Sequence, residues 1–195
     1  MIYAVVRHGE TELNIRNIVQ GKSDNGLCVK GFSTAETYAE NLRILNVEFD
    51  CVVCSPLRRC TETAGIISEK LSKRVRILEN LTELSRGEHH GLNKANASKT
   101  KLESYKRFCE HPYTMPPKHG ESFIDLSIRL NRYVIPKLQT FGQVIIVTHG
   151  FVGATLCKLL DPRILPASQI SLKQGKIYLV ENIKASNEVS SDLLQ

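Results

Sequence analysis

The chain has 195 residues, 42% of them hydrophobic and 24% charged, and 26 Lys and Arg against 20 Asp and Glu leave a formal net charge of +6. That length fits about one domain, and the composition excludes disorder, collagen and coiled coil as the main architecture. The longest apolar runs, such as residues 144–147, are strand-sized and far short of the roughly 20 residues that span a bilayer. After Met1 the chain reaches Arg7 through only five apolar or aromatic residues, which argues against a secretory leader. Six cysteines (Cys28, Cys51, Cys54, Cys60, Cys109 and Cys157) lie scattered without a disulfide-like framework. Reduced thiols in a cytoplasmic protein are therefore expected. The positive excess has two readings, a nucleic-acid partner or a surface that draws in small anions.

In chain order, strand-like runs occupy residues 2–6, 49–54, 75–78, 144–148 and 177–180. Stretches with helical spacing separate them. Ala35, Tyr38, Leu42 and Leu45 form one apolar stripe, and Cys60, Ala64, Ile67 and Leu71 form a second. Phe123, Leu126, Leu130 and Val134 form a third, behind a capping-box pair of Ser122 and Asp125 and ahead of Pro136, which disturbs the helix near its end. Strands alternating with helices predict an α/β fold, a three-layer α/β/α sandwich with a mostly parallel central sheet. No repeat, low-complexity block or linker divides the chain. One domain over residues 1–195 is expected, with a polar, frayed tail at 185–195.

In such sheets the active site lies beyond the carboxyl ends of the strands. That rule selects Arg7-His8-Gly9-Glu10-Thr11, Ser55-Pro56-Leu57-Arg58-Arg59 and Thr148-His149-Gly150, with Glu83 in a fourth loop. Two strand-end His-Gly pairs with arginines on neighbouring loops suit a phosphate dianion, because the guanidinium fork matches phosphate oxygens and stays charged. Taken singly, each His reads first as a satisfied turn residue, each Arg as a surface charge and Glu83 as an exposed carboxylate; the histidines and arginines sharing one face of the sheet weaken that reading.

The segment from Arg7 to Asn14, then Gln20-Gly21, residues 55–64, Leu81-Thr82-Glu83-Leu84, Gly120-Glu121-Ser122 and Val147-Thr148-His149-Gly150 resemble, in order, the motifs of the histidine phosphatase superfamily, the phosphoglycerate mutase-like group. The resemblance implies a phosphohistidine on His8, a phosphoryl pocket formed by Arg7, Arg59 and His149, and Glu83 as general acid and base. Asn14, Gln20, Gly21 and Gly150 are implied as substrate-binding positions, and Arg58 as facing solvent. No metal and no cofactor are implied.

Several positions depart from the family pattern. Cys28 replaces a usual Thr or Ser helix cap and Cys60 a usual small Ala. Glu88-His89-His90-Gly91 stands where relatives have an aromatic residue and a Glu, so the histidines read either as an idle exposed pair or as altering the substrate-facing loop. Cys51 and Cys54 sit three apart on a strand, pointing to opposite faces and unsuited to a shared metal, although an exposed Cys54 would be open to oxidation. Residues 84–119 form a short lid with Lys94, Lys99, Lys101, Lys106 and Arg107 on a helix whose Leu102 and Tyr105 turn inwards. These cations are either a solvated face or a lure for anions. The short lid and short chain favour hydrolysis over mutase chemistry. The expected function is a metal-independent phosphomonoesterase acting on a small phosphorylated metabolite. A cofactor-dependent phosphoglycerate mutase is the alternative, and a catalytically silent binding protein is the alternative of another class. Neither nucleic acid nor membrane is expected as a partner, and a homodimer is left open.

Overall fold

The computed structural model describes residues 1–93, 95–166 and 168–181; Lys94 and the expected frayed tail lie outside them. The sheet begins with β1 (Ile2–Arg7), and its other strands are β2 (Cys51–Cys54), β3 (Arg74–Ile77), β4 (Val144–Thr148) and β5 (Ile177–Glu181). They are ordered β3-β2-β4-β1-β5, with every pair parallel except β1 with β5. All five expected strands are present. The second starts two residues late, because the Asp50 carboxylate accepts from the Gln143 amide at 2.7 Å and is used to close the turn before β4.

Helices α1 (Glu12–Ile15), α2 (Val29–Ile44), α3 (Arg58–Leu71), α4 (Lys99–Glu110), α5 (Phe123–Tyr133), α6 (Ile135–Gln139) and α7 (Gly150–Leu160) connect the strands. Alternation along the strands sorts the core into two layers. Ala4, Val6, Val52, Cys54, Ile145 and Val147 face Tyr38, Leu42, Ala64 and Ile67 of α2 and α3. Tyr3, Val5, Cys51, Val53, Val144 and Ile146 face Leu126, Leu130, Leu138, Val152 and Leu156 of α5, α6 and α7. Helices thus cover both faces of the sheet, which is the three-layer sandwich the sequence predicts. Cys51 and Cys54 fall in opposite layers, both buried, so Cys54 is not exposed to oxidants.

Local signals behave as their chemistry requires. Ser122 accepts from the Asp125 amide at 3.1 Å while the Asp125 carboxylate accepts from the Ser122 amide at 2.9 Å, and the chain breaks at Val134 just before Pro136. Cys28 caps α2 with no side-chain hydrogen bond. No helix among the described residues is long and apolar enough to cross a membrane.

Two glycines set the approach of α2 to the loop after β1. A Cβ on Gly9 would overlap the Gly31 carbonyl, and one on Gly31 would overlap the Glu10 carbonyl. Backbone meets backbone there, so neither position has room to yield. At Gly65, inside α3, a Cβ would have nothing within 4 Å. Gly31→Ala is expected to cost about 1–3 kcal/mol through overpacking, whereas Gly65→Ala is expected to stabilise by about 0.5–1 kcal/mol through helix propensity. Urea unfolding midpoints moving in opposite directions would bear this out.

Candidate active site

The parallel pairing of β1 with β4 places Arg7 opposite Thr148, so His8 and His149 leave adjacent strand ends side by side. The His8 amide donates to the Thr148 carbonyl at 2.8 Å, which fixes the first residue of the loop. The two imidazoles meet edge to face with centroids 5.4 Å apart. His8 Nδ1 lies 2.7 Å from the Gly9 carbonyl. A carbonyl only accepts, so the ring proton sits on Nδ1 and the lone pair on Nε2. Gly9 is held in turn by its amide donating to Thr63 Oγ1 at 3.0 Å.

A cavity of about 140 Å³ opens at this point, lined by Arg7, His8, Asn14, Ile18, Val19, Gln20, Gly21, Arg59, Glu83, Arg86 and Phe151. Arg59 is buried at the start of α3 and donates to the Gly21 carbonyl at 2.9 Å and to that of Ser23, fastening the Gln20-Gly21 loop beside the cavity. Arg58, its neighbour, is exposed and paired with Glu62 at 2.7 Å, as the sequence suggests. Arg7 Nη1 donates to the Leu172 carbonyl at 3.3 Å. The Asn14 amide oxygen accepts from the Thr11 amide at 3.1 Å and from Gln174 Nε2 at 3.4 Å, which leaves its remaining capacity as a donor.

Glu83 is placed by a clamp on its loop. Arg129 Nη1 donates to the carbonyls of Asn80 and Thr82 at 2.7 and 3.0 Å, and the same guanidinium holds Glu121 at 3.0 Å. Glu121 Oε2 then accepts from the Ser85 amide at 2.7 Å. Glu83 Oε1 accepts from the Leu84 amide at 2.8 Å, and its charge acts on both Arg59 and Arg86.

Of the residues selected from sequence, Arg7, His8, Asn14, Gln20, Gly21, Arg59 and Glu83 share the cavity wall. His149 and Gly150 stand one layer deeper. His149 is fully buried, with Nε2 2.8 Å from Ser55 Oγ, and the Cys60 thiol fills the space at 3.6 Å. A Cβ on Gly150 would run into Ser171 Oγ. Sequence reasoning missed Arg86, Phe151 and Gln174, whose Nε2 also donates to the His8 carbonyl at 3.2 Å. Arg86 sits only three residues after Glu83, in a loop already singled out, but its burial comes from aromatic residues far along the chain.

His89 is fully buried, not exposed as its pairing with His90 suggested; His90 is exposed. Ser104 Oγ donates to Glu88 at 2.7 Å, so His89 Nε2, 2.9 Å away, donates to Ser104 and ties this loop to α4. On α4, Leu102 and Tyr105 are half-buried and Phe108 fully so, while Lys99, Lys101, Lys106 and Arg107 are exposed. None of the four lines the cavity. Among the described residues no three His, Cys, Asp or Glu side chains converge as metal ligands.

Burial, then the charges of Arg59 and Arg7, hold His8 well below the usual histidine pKa, against a smaller opposing effect of the Gly9 carbonyl. Burial, Arg59 and His8 do the same to His149. Both rings are neutral in the folded chain and take protons near pH 6.5 once unfolded. The unfolded state therefore binds more protons below that pH. Stability is expected to be full above about pH 6.5 and to fall as the pH drops towards the folded values, by at most about 1.4 kcal/mol per unit for each ring. Urea unfolding between pH 7.5 and 5 should give a shallower slope for His8→Asn than for the unsubstituted chain.

The description "Histidine phosphatase superfamily (branch 1)" matches residues 3–190. The chain is 33% identical over 164 residues to the 2,3-bisphosphoglycerate-dependent phosphoglycerate mutase of Bartonella bacilliformis, covering 80% of each protein. It is 31% identical over 170 residues to the adenosylcobalamin/alpha-ribazole phosphatase of Salmonella typhimurium, covering 85% of this chain and 81% of that one. The alpha-ribazole phosphatase from Shigella flexneri superposes with a TM-score of 0.76 at 26% identity, over 93% of this chain and 90% of the other. With its motifs in order on the expected strand ends and the family matched across nearly its whole length, the chain belongs to the histidine phosphatase superfamily, branch 1.

Proposed function

We propose that the protein is a phosphomonoesterase that hydrolyses a small phosphorylated metabolite through a phosphohistidine on His8. The observation that carries this reading is the 2.7 Å contact of His8 Nδ1 with the Gly9 carbonyl, which leaves the Nε2 lone pair available beside three guanidinium groups and one carboxylate. A neutral imidazole among cations is a nucleophile that burial keeps unprotonated. Nε2 attacks phosphorus in line, the ester P–O bond breaks, and Glu83 gives its proton to the departing alkoxide. Water then attacks the phosphohistidine, the Glu83 carboxylate takes its proton, the P–N bond breaks, and phosphate leaves with His8 neutral again.

Arg7 and Arg59 stabilise the equatorial oxygens of the transferring group, charge that a metal ion supplies in other phosphoryl transfer sites. Both have a buried Nε without a partner, so each holds a donor in reserve for a ligand. His149 lies ring to ring behind His8, with centroids 5.4 Å apart, and would back a phosphoryl group carried on His8 Nε2. Asn14 and the Gln20-Gly21 backbone add neutral hydrogen bonds. At about 140 Å³ the cavity is smaller than the roughly 300–1,000 Å³ typical of drug-sized ligand sites, which favours a compact substrate.

Length does not separate phosphatase from mutase, because the Bartonella mutase is matched over the same share of both chains. Hydrolysis is favoured instead by α4. Its cations face solvent and none of its residues lines the cavity, so nothing from that helix excludes water or retains a phosphorylated intermediate.

A panel of phosphomonoesters assayed in chelator should release phosphate, and an acid-labile phosphoprotein should be trapped that is absent from His8→Ala. Glu83→Gln should lower kcat by about 10²–10⁴-fold. Turnover that survives in His8→Ala or requires added metal overturns the mechanism. Isomerisation of 3-phosphoglycerate primed by 2,3-bisphosphoglycerate, outpacing phosphate release, would make the chain a mutase.

A further inference from the structure

The side chain of Arg86 is 4% exposed, and its Nε and Nη2 are buried with no hydrogen-bond partner. Its guanidinium lies over the rings of Phe108, Phe151 and Tyr105 at 4.4, 5.1 and 5.5 Å from their centroids. That aromatic bed accounts for its position, and Tyr105 also shares a side-chain hydrogen bond with it, but neither accounts for Nε and Nη2. A cation over rings gains about 0.5–2 kcal/mol, whereas each buried unsatisfied donor costs about 1–3 kcal/mol. A methionine would stack there without that cost. The residue also lines the cavity that holds His8 and Glu83. Its stem packs on Gly21, where a Cβ would come within 3.2 Å of Arg86 Cγ, while Arg59 binds the carbonyl of the same glycine. The two arginines therefore meet one residue from different sides. Arg59 and Arg7 suffice for one phosphoryl group at Nε2, which leaves Arg86 as a cation in excess.

We propose that Arg86 binds a second anionic group, a carboxylate or another phosphate, on the leaving group of the substrate. The inference rests on reading the cavity as a phosphomonoester site and narrows the substrate class to esters carrying at least two anionic groups. The forked guanidinium supplies Nε–H and Nη2–H as a parallel pair to two oxygens of the incoming anion. The ligand thereby completes the hydrogen bonding that the folded chain leaves open. Arg86 discriminates among substrates and takes no part in bond making.

Matched ligands test this: 3-phosphoglycerate against glycerol 3-phosphate, and phosphoserine against phosphoethanolamine, differ chiefly by a carboxylate, and fructose 1,6-bisphosphate against fructose 6-phosphate differs by a phosphate. Binding is measured calorimetrically in His8→Ala, and kcat/KM in the chain with His8 intact. At least one pair should favour the more anionic member by about 10–100-fold, as a charge-assisted hydrogen bond implies. That preference should shrink to a few-fold in Arg86→Met, mainly through KM, and which pair responds separates carboxylate from phosphate. If no pair shows the preference, or if Arg86→Met weakens both members equally, the proposal is overturned and Arg86 is a packing residue satisfied by water. Should Arg86→Met fail to fold, Arg86→Gln gives the same comparison. Preferential binding in His8→Ala without turnover in the intact chain would uphold Arg86 and reject the phosphatase reading.

Discussion

The parallel ladder between β1 and β4 is the constraint from which the site follows. Because Arg7 is in register with Thr148, the two His-Gly turns emerge together, and the His8 amide is bonded to the last carbonyl of the neighbouring strand. A slip of one residue would turn every side chain of β1 to the other face and exchange the two core layers. The alternation of Tyr3 and Val5 against Ala4 and Val6 forbids that slip, since each set is packed against different helices. The position of His8 is thus set by hydrophobic burial along the whole strand. The same strand order puts Ser55, at the end of β2, against His149 at the end of β4.

Around that frame the chain gathers more buried positive charge than it neutralises. Arg7, Arg59 and Arg86 reach the cavity, with Glu83 as the one carboxylate on its wall. Backbone carbonyls from Gly21, Ser23 and Leu172 hold two of the arginines in place without cancelling their charge. The effect on the histidines is direct, since cations and burial both oppose protonation of His8. The cost is buried guanidinium donors on Arg7, Arg59 and Arg86 that lack acceptors, a cost the proposed anionic substrate would relieve. In the proposed mechanism, binding and nucleophile activation thus arise from one electrostatic arrangement.

The sheet, the three amphipathic helices and the strand-end loops were legible in the sequence because each depends on local periodicity or on a motif confined to one loop. The helix cap at Ser122 and the division of Cys51 from Cys54 followed from short-range geometry alone. Arg86 and His89 were not legible, for a common reason. Both are buried by α4 and its neighbours, through Phe108 and Tyr105, and Arg86 also by Phe151 on α7. Nothing within a few residues of Arg86 or His89 announces that cover. The pocket positions of Arg7 and Arg59 rest on strand and helix ends, which sequence marks well. The Cys60 thiol that touches His149 at 3.6 Å was visible in the sequence only as a change of size.

The net charge of +6 is a poor guide to this chemistry, because the cations on α4 are solvated and screened, whereas buried Arg59 and Arg86 and half-buried Arg7 dominate the cavity. A charge in a site of low polarity acts over the same distance far more strongly than one in water. On the proposed function, selection among anionic substrates falls to the loop after β3, which carries Glu83 and Arg86 within four residues and is clamped by Arg129 and Glu121. One short segment then presents both the proposed proton donor and a cation of the cavity wall. In the proposed mechanism the leaving group is the part of the substrate that meets Glu83, so a cation held three residues further along would read the chemistry of that leaving group and not of the phosphoryl group common to every substrate. On that reading, specificity would change by substitution within this loop while the proposed phosphoryl pocket on β1, α3 and β4 stays as it is.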